Sequence, residues 1–227
     1  MFFSSPRKNQ YLGLSIALIG AASVISYSSI SYGEWFHSPG KMNTGHQNVR
    51  CEYCHKESIG NYRQQIQANV QYYLGYRSSK VNVGHLPVDN SSCLSCHQYT
   101  KDLHPAYRFL EPRFSDARKN VEAHLCVSCH GEHNGVRATA KIEFCKTCHE
   151  KIDLKDDPID VPHKYLVKLD QWETCMGCHD YHGNHKMKLV EELDNRYSKS
   201  EILLHLAGGT ELYSSDKFYK AKESPDE

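Results

Sequence analysis

One pentapeptide pattern, Cys-x-x-Cys-His, occurs five times in 227 residues. The copies are CEYCH (Cys51, Cys54, His55), CLSCH (Cys93, Cys96, His97), CVSCH (Cys126, Cys129, His130), CKTCH (Cys145, Cys148, His149) and CMGCH (Cys175, Cys178, His179). They use all ten cysteines, so none is left for a disulfide or a nucleophile. The spacing has a chemical reading. Two thiols three residues apart reach the two vinyl groups on one porphyrin edge, and the next residue lies under the iron as its proximal imidazole. Zinc ribbons and redox dithiols also use paired C-x-x-C. Neither needs a histidine after every second cysteine. Histidine is 15 of 227 residues, so five such coincidences would arise by chance roughly once in a million. Five covalently attached c-type haems are therefore expected.

That expectation changes how composition is read. Apolar content is 39%, low for a conventional core. Porphyrins are large flat apolar bodies, and a chain can wrap them instead of packing on itself. The expected fold is mostly irregular with short α-helices, a multihaem cytochrome c wrapped around a haem stack, plus one N-terminal transmembrane helix. Long loops, unusual in ordinary domains, are expected here. Formal net charge is zero and no basic run stands out, so no nucleic-acid partner is expected.

The first 36 residues set the compartment. Arg7 and Lys8 precede an uncharged run from Asn9 to Gly33. As a helix this run reaches about 37 Å, more than the roughly 30 Å hydrocarbon core. Tyr32, Trp35 and Phe36 suit the far interface, and the basic pair favours an N-terminus inside. The alternative is a cleaved signal peptide with its apolar region at Tyr11–Ile25. The reading adopted is an uncleaved anchor in a bacterial inner membrane, with the haem domain in the periplasm.

Four segments follow: the anchor (1–36), a neck (37–50), a pentahaem cytochrome domain (51–190), and a C-terminal helix with a loose charged tail (191–227). Tyr62, Ile66, Val70, Tyr73 and Leu74 recur at helical spacing, and that helix is expected to cover haem faces. Pro112 is read as a turn before a helix ending near His124. A C-terminal helix should stop at Gly208 and Gly209.

Ten histidines lie outside the motifs, and five irons need five sixth ligands if all are six-coordinate. His133 and His163 each precede a motif's first cysteine by twelve positions, and His133 and His182 each stand three after a motif histidine. This recurrence suggests duplicated units. His85 lies eight positions ahead of Cys93, and His46 five ahead of Cys51. The candidate distal ligands are His46, His85, His124, His133, His163 and His182, one more than required. His104 and His185 are reserves; His37 and His205 are bystanders. His46 is assigned to the first motif, with Met42 as its alternative. The fourteen-residue neck reaches at most about 50 Å, which makes the first haem the membrane-side terminal. An iron with two imidazoles has no open site for substrate, which favours a carrier over an enzyme.

The five motifs, with their C-x-x-C-H-x-x-H and H-x-P-V segments, resemble multihaem cytochromes c of the tetrahaem and doubled C-x-x-C-H type. An anchor ahead of the haems is similar to the NapC/NirT quinol dehydrogenases and the pentahaem subunit of alternative complex III. The resemblance covers about residues 46–185. Unlike NapC/NirT proteins, this chain has no methionine two positions after its first motif. The resemblance implies a relay of electrons between a quinol-linked membrane component and a respiratory acceptor, with redox proteins, the membrane and quinol as candidate partners. The alternatives are a wire subunit of a larger respiratory complex, or a reductase with one open haem.

Overall fold

The computed structural model describes residues 6–28 and 40–227. Tyr32, Trp35, Phe36 and His37 therefore lie outside the described residues. The chain divides into two units, 1–41 and 42–227. The first contains α1 (Pro6–Ser28). Among the described residues it is the one helix long and apolar enough to cross a membrane, by length and composition. The boundary corrects the expected neck: residues 42–50 belong to the second unit. Asn43 is buried and its side chain donates to the Gly131 carbonyl at 2.9 Å. Thr44 N donates to the Val136 carbonyl at 3.0 Å.

In the second unit, α2 (Cys51–Cys54), α3 (Tyr62–Tyr73), α4 (Asn90–Leu94), α5 (Ser115–Val121), α6 (Cys126–Cys129), α7 (Lys146–His149), α8 (His163–Lys168), α9 (Glu173–Cys178) and α10 (Lys199–Leu206) are joined by 3-10 turns and irregular segments. Among the described residues β pairing is confined to two isolated bridges, Glu57 with His85 and His185 with Lys217. Short helices and irregular connections are thus observed.

Local sequence explains where the longer helices begin and end. Asn61 and Gln64 form a capping box at the start of α3, and Ser198 and Glu201 form another at α10, each satisfying backbone donors that a helix start leaves open. The C-terminal helix ends as expected: Ala207 caps it and Gly208 follows at φ +90°. The helix expected to end near His124 instead stops at Val121, where Glu122 takes a left-handed conformation (φ 45°). Pro112 opens a 3-10 turn rather than a simple bend. The apolar residues of α3 are exposed. The helix is held by buried Gln65, which donates to the Gly60 carbonyl at 2.7 Å and accepts from Gly84 N at 2.9 Å.

The tail also differs from expectation. Lys222 N donates to the Cys96 carbonyl at 3.2 Å, and Phe218 N to the Asn184 carbonyl at 2.8 Å. Tyr219 stacks on Tyr99, with ring centroids 5.8 Å apart. Two adjacent aromatic residues in this charged segment, Phe218 and Tyr219, find partners, so composition alone misjudged it.

The side-chain core is small. Ile142, Ile202 and Leu206 form its centre, with Ala138, Met176, Tyr197 and Leu212 packed around them. Ile202 is wholly buried while its neighbour Leu203 is 49% exposed. Ile202→Ala should cost about 3 kcal/mol of unfolding free energy, read as a lower denaturant midpoint. Leu203→Ala should stay within about 0.5 kcal/mol of the parent.

Candidate haem sites

Each motif is built on a single helical turn. The backbone N–H of His55, His97, His130 and His179 donates to the carbonyl of the first cysteine of its motif at 2.8–3.0 Å. A turn of this kind puts positions i and i+3 on one face, so two thiols point together and the histidine follows at the turn's end. In the fourth motif a 3-10 turn, Ile142–Cys145, runs into α7.

Neighbouring motifs are pinned by polar side chains. Ser92 Oγ donates to the Cys54 carbonyl at 3.1 Å. Asn90 donates to the His124 carbonyl at 2.6 Å and accepts from Cys126 N at 2.9 Å, tying α4 to the start of α6. Gly177 allows α9 to approach the chain closely: a Cβ there would sit 2.7 Å from the Tyr197 carbonyl oxygen.

Every motif histidine faces a histidine from outside the motifs. Ring centroids are 5.9 Å apart for His97 and His46, 6.0 Å for His130 and His182, 6.1 Å for His149 and His104, and 6.1 Å for His179 and His163. His55 has two such neighbours, His85 at 5.9 Å and His133 at 6.2 Å. This spacing fits a haem iron held between the two rings. Two imidazole nitrogens on opposite sides of one iron, at about 2 Å each and with ring centres about 1.1 Å further out, put centroids about 6.2 Å apart.

The hydrogen bonds orient the rings to match. Nδ1 of His46 bonds Glu132 Oε2 at 2.8 Å, His163 bonds Asp157 Oδ1 at 2.8 Å, His182 bonds Asp102 Oδ2 at 3.0 Å, and His104 bonds the Tyr181 carbonyl at 2.7 Å. Nδ1 of His130 bonds the Arg137 carbonyl at 3.1 Å. Carboxylate and carbonyl oxygens only accept, so Nδ1 carries the proton and Nε2 keeps its lone pair for a metal.

Protonation state agrees. All five motif histidines are pushed below the usual imidazole value, first by burial and then by the facing histidine or other nearby histidines. A ligand must be neutral to bind. Burial alone would raise the carboxyls of Glu132 and Asp157, but hydrogen bonds from backbone N–H groups and from His46 or His163 outweigh it and hold both low.

Of the six expected distal candidates, five stand opposite motif histidines. His46 is displaced from its expected place: it faces His97 of the second motif, not His55 of the first. The cause is the tie of Asn43 and Thr44 to the 131–136 loop, together with Glu132 on the His46 ring. No ring pairing brings His124 to a motif histidine among the described residues; its Nδ1 is buried without a hydrogen-bond partner there. His104, held in reserve, takes the place opposite His149. It lies at no fixed spacing from a cysteine, so motif arithmetic does not find it. The clue available was Asp102, two residues before it, in the same Asp-x-His order as Asp180 and His182. His185 bonds Asp180 at 2.8 Å and lies against Tyr213 instead.

Gly177→Ala should destabilise the protein by about 1–3 kcal/mol, since the clash is with backbone that cannot rotate away. Thermal unfolding of the purified variant checks it. A midpoint equal to the parent's would mean that α9 and the Tyr197 strand of chain separate freely.

No curated protein and no solved structure matches the chain. Residues 45–150, which contain the first four motifs, match the family model described as cytochrome c3. That family implies covalently bound c-type haem and electron transfer, and the match supports a multihaem c-type cytochrome.

Proposed function

We propose that the chain is a pentahaem cytochrome c, anchored by α1 in the inner membrane with its second unit in the periplasm. It relays electrons between a quinol-linked membrane component and a respiratory acceptor. The observation that carries this reading is the facing of all five motif histidines by outside imidazoles at 5.9–6.2 Å.

Haem iron supplies reversible one-electron exchange between its ferric and ferrous states. The residues divide the remaining work. The ten motif cysteines would form the thioether links, and the five motif histidines would be the proximal ligands. His46, His182, His104 and His163, each opposite a motif histidine, would be the distal ligands of the second, third, fourth and fifth sites. For the first site the choice is His133 over His85. His182 stands three residues after the fifth motif's histidine and faces the third; His133 stands three after the third motif's histidine and faces the first. A haem held by imidazole on both sides would have no open coordination position for substrate, which favours a carrier. The small side-chain core supports an interior completed by porphyrins.

Intact mass of protein matured in a competent host should exceed the polypeptide by five haem masses. Resting EPR should show low-spin ferric signals without a substantial high-spin one. His46→Ala, His104→Ala and His133→Ala should each turn one low-spin signal high-spin. His85→Ala, His124→Ala and His185→Ala should leave all five low-spin; any other distribution reassigns the ligands.

Membrane attachment is tested separately. The mature protein should sediment with membranes and release only in detergent, and its N-terminal sequence should begin before Ser23. A mature N-terminus between Ser23 and His37 would make it a soluble periplasmic carrier.

A further inference from the structure

Two Asp-x-His tripeptides, Asp102-Leu103-His104 and Asp180-Tyr181-His182, lie 78 positions apart in sequence and against each other in space. Each carries the imidazole facing a different motif: His104 faces His149 and His182 faces His130. Each also supplies the oxygen that the other's imidazole needs. Asp102 Oδ2 takes Nδ1 of His182 at 3.0 Å, and the Tyr181 carbonyl takes Nδ1 of His104 at 2.7 Å. Asp102 Oδ1 also accepts from the backbone N–H of His104 at 2.8 Å. One carboxylate thus holds the ring of one histidine and the backbone of the other.

The contact continues through the rings and the main chain. Tyr181 stacks on His104 with centroids 4.3 Å apart and planes 10° apart, and meets His182 edge-on at 4.9 Å and 85°. Phe144, from the turn that leads into the fourth motif, packs edge-on against Tyr181 at 5.3 Å. Leu103 N donates to the His182 carbonyl at 3.2 Å. Gly183, at φ +66°, lets Leu103 close in: a Cβ there would meet the Leu103 side chain at 2.7 Å. Asp180 also holds the ring of one histidine, His185 at 2.8 Å, and the backbone N–H of another, His182 at 3.2 Å, but His185 lies against Tyr213 and pairs with no motif histidine among the described residues. Asp157 holds both the ring and the backbone N–H of one residue, His163, at 2.8 and 2.7 Å.

We infer that the two tripeptides form one clasp in which Asp102 and Tyr181 are positioning residues for the third and fourth sites together, so that the reduction potentials of those two sites are set jointly. The inference rests on the distal ligands proposed above. The physical reason is that an anion bonded to an imidazole N–H makes that ligand more basic and favours the oxidised metal. Moving the clasp must also shift the second ring, which shares its anchor.

The test uses the fully loaded, full-length protein in potentiometric titrations followed by EPR and visible spectra. The parent is measured first: fewer than five low-spin ferric sites would defeat the ligand reading itself, apart from the clasp. Asp102→Asn should then move two of the five midpoint potentials. The third site should rise by at least tenfold in its reduction equilibrium, about 59 mV for one electron. Asp157→Asn should move only one. If Asp102→Asn fails to load five haems, Tyr181→Leu, which keeps the backbone carbonyl but removes the ring, should move the same two sites. The clasp is overturned if the Asp102 or Tyr181 variant moves no more sites than Asp157→Asn does.

Discussion

The hydrogen bond from a histidine's Nδ1 to a fixed oxygen is the interaction on which the arrangement depends. An imidazole can present either nitrogen and can rotate about two torsions. Once Nδ1 is committed to Glu132, Asp157, Asp102 or the Tyr181 carbonyl, tautomer and direction are both decided. Nε2 is then left with its lone pair for a metal. Most of these oxygens come from parts of the chain remote from the histidine they hold: Glu132 for His46, Asp102 for His182, Tyr181 for His104. The same bonds that aim the rings therefore also tie distant segments together.

This explains how a unit with few buried apolar side chains can hold a defined shape. Ile142, Ile202 and Leu206 form a small apolar cluster, and the other buried apolar side chains, such as Phe109, Leu166 and Trp172, lie outside it. Elsewhere the ties are polar. Asn43 joins the start of the unit to the third motif, Asn90 joins α4 to α6, and Arg137 Nε donates to the His205 carbonyl at 3.1 Å. Hydrogen bonds of this kind contribute about 1 kcal/mol each, so no single one decides the fold. Covalent attachment of porphyrins would add apolar surface and cross-linking between these segments, both of which this sparse core lacks.

The reciprocal use of Asp102 and Tyr181 extends the same principle from one site to two. A histidine backed by its own local carboxylate, as His163 is by Asp157, can be tuned alone. Histidines backed by each other's segments cannot. On the relay reading proposed above, such sharing would make the third and fourth centres respond as a unit.

The sequence by itself determined the chemistry. Five Cys-x-x-Cys-His turns need only local backbone geometry, so the paired cysteines and the histidine after them can be read directly, as can the apolar N-terminal helix and the helices α3 and α10. Tertiary structure decided which imidazole faces which. His46 lies five residues from Cys51 yet faces His97, because Asn43 and Thr44 are bound to the loop after His130. His104 lies 45 residues from His149 and faces it across the fold, while His124, two residues from Cys126, faces no motif histidine among the described residues. Ring pairing is a matter of distance in space and of which oxygen holds Nδ1. Neither is encoded in spacing along the chain, which is why motif spacing names the paired cysteines and the histidine after them but not the imidazole that faces it.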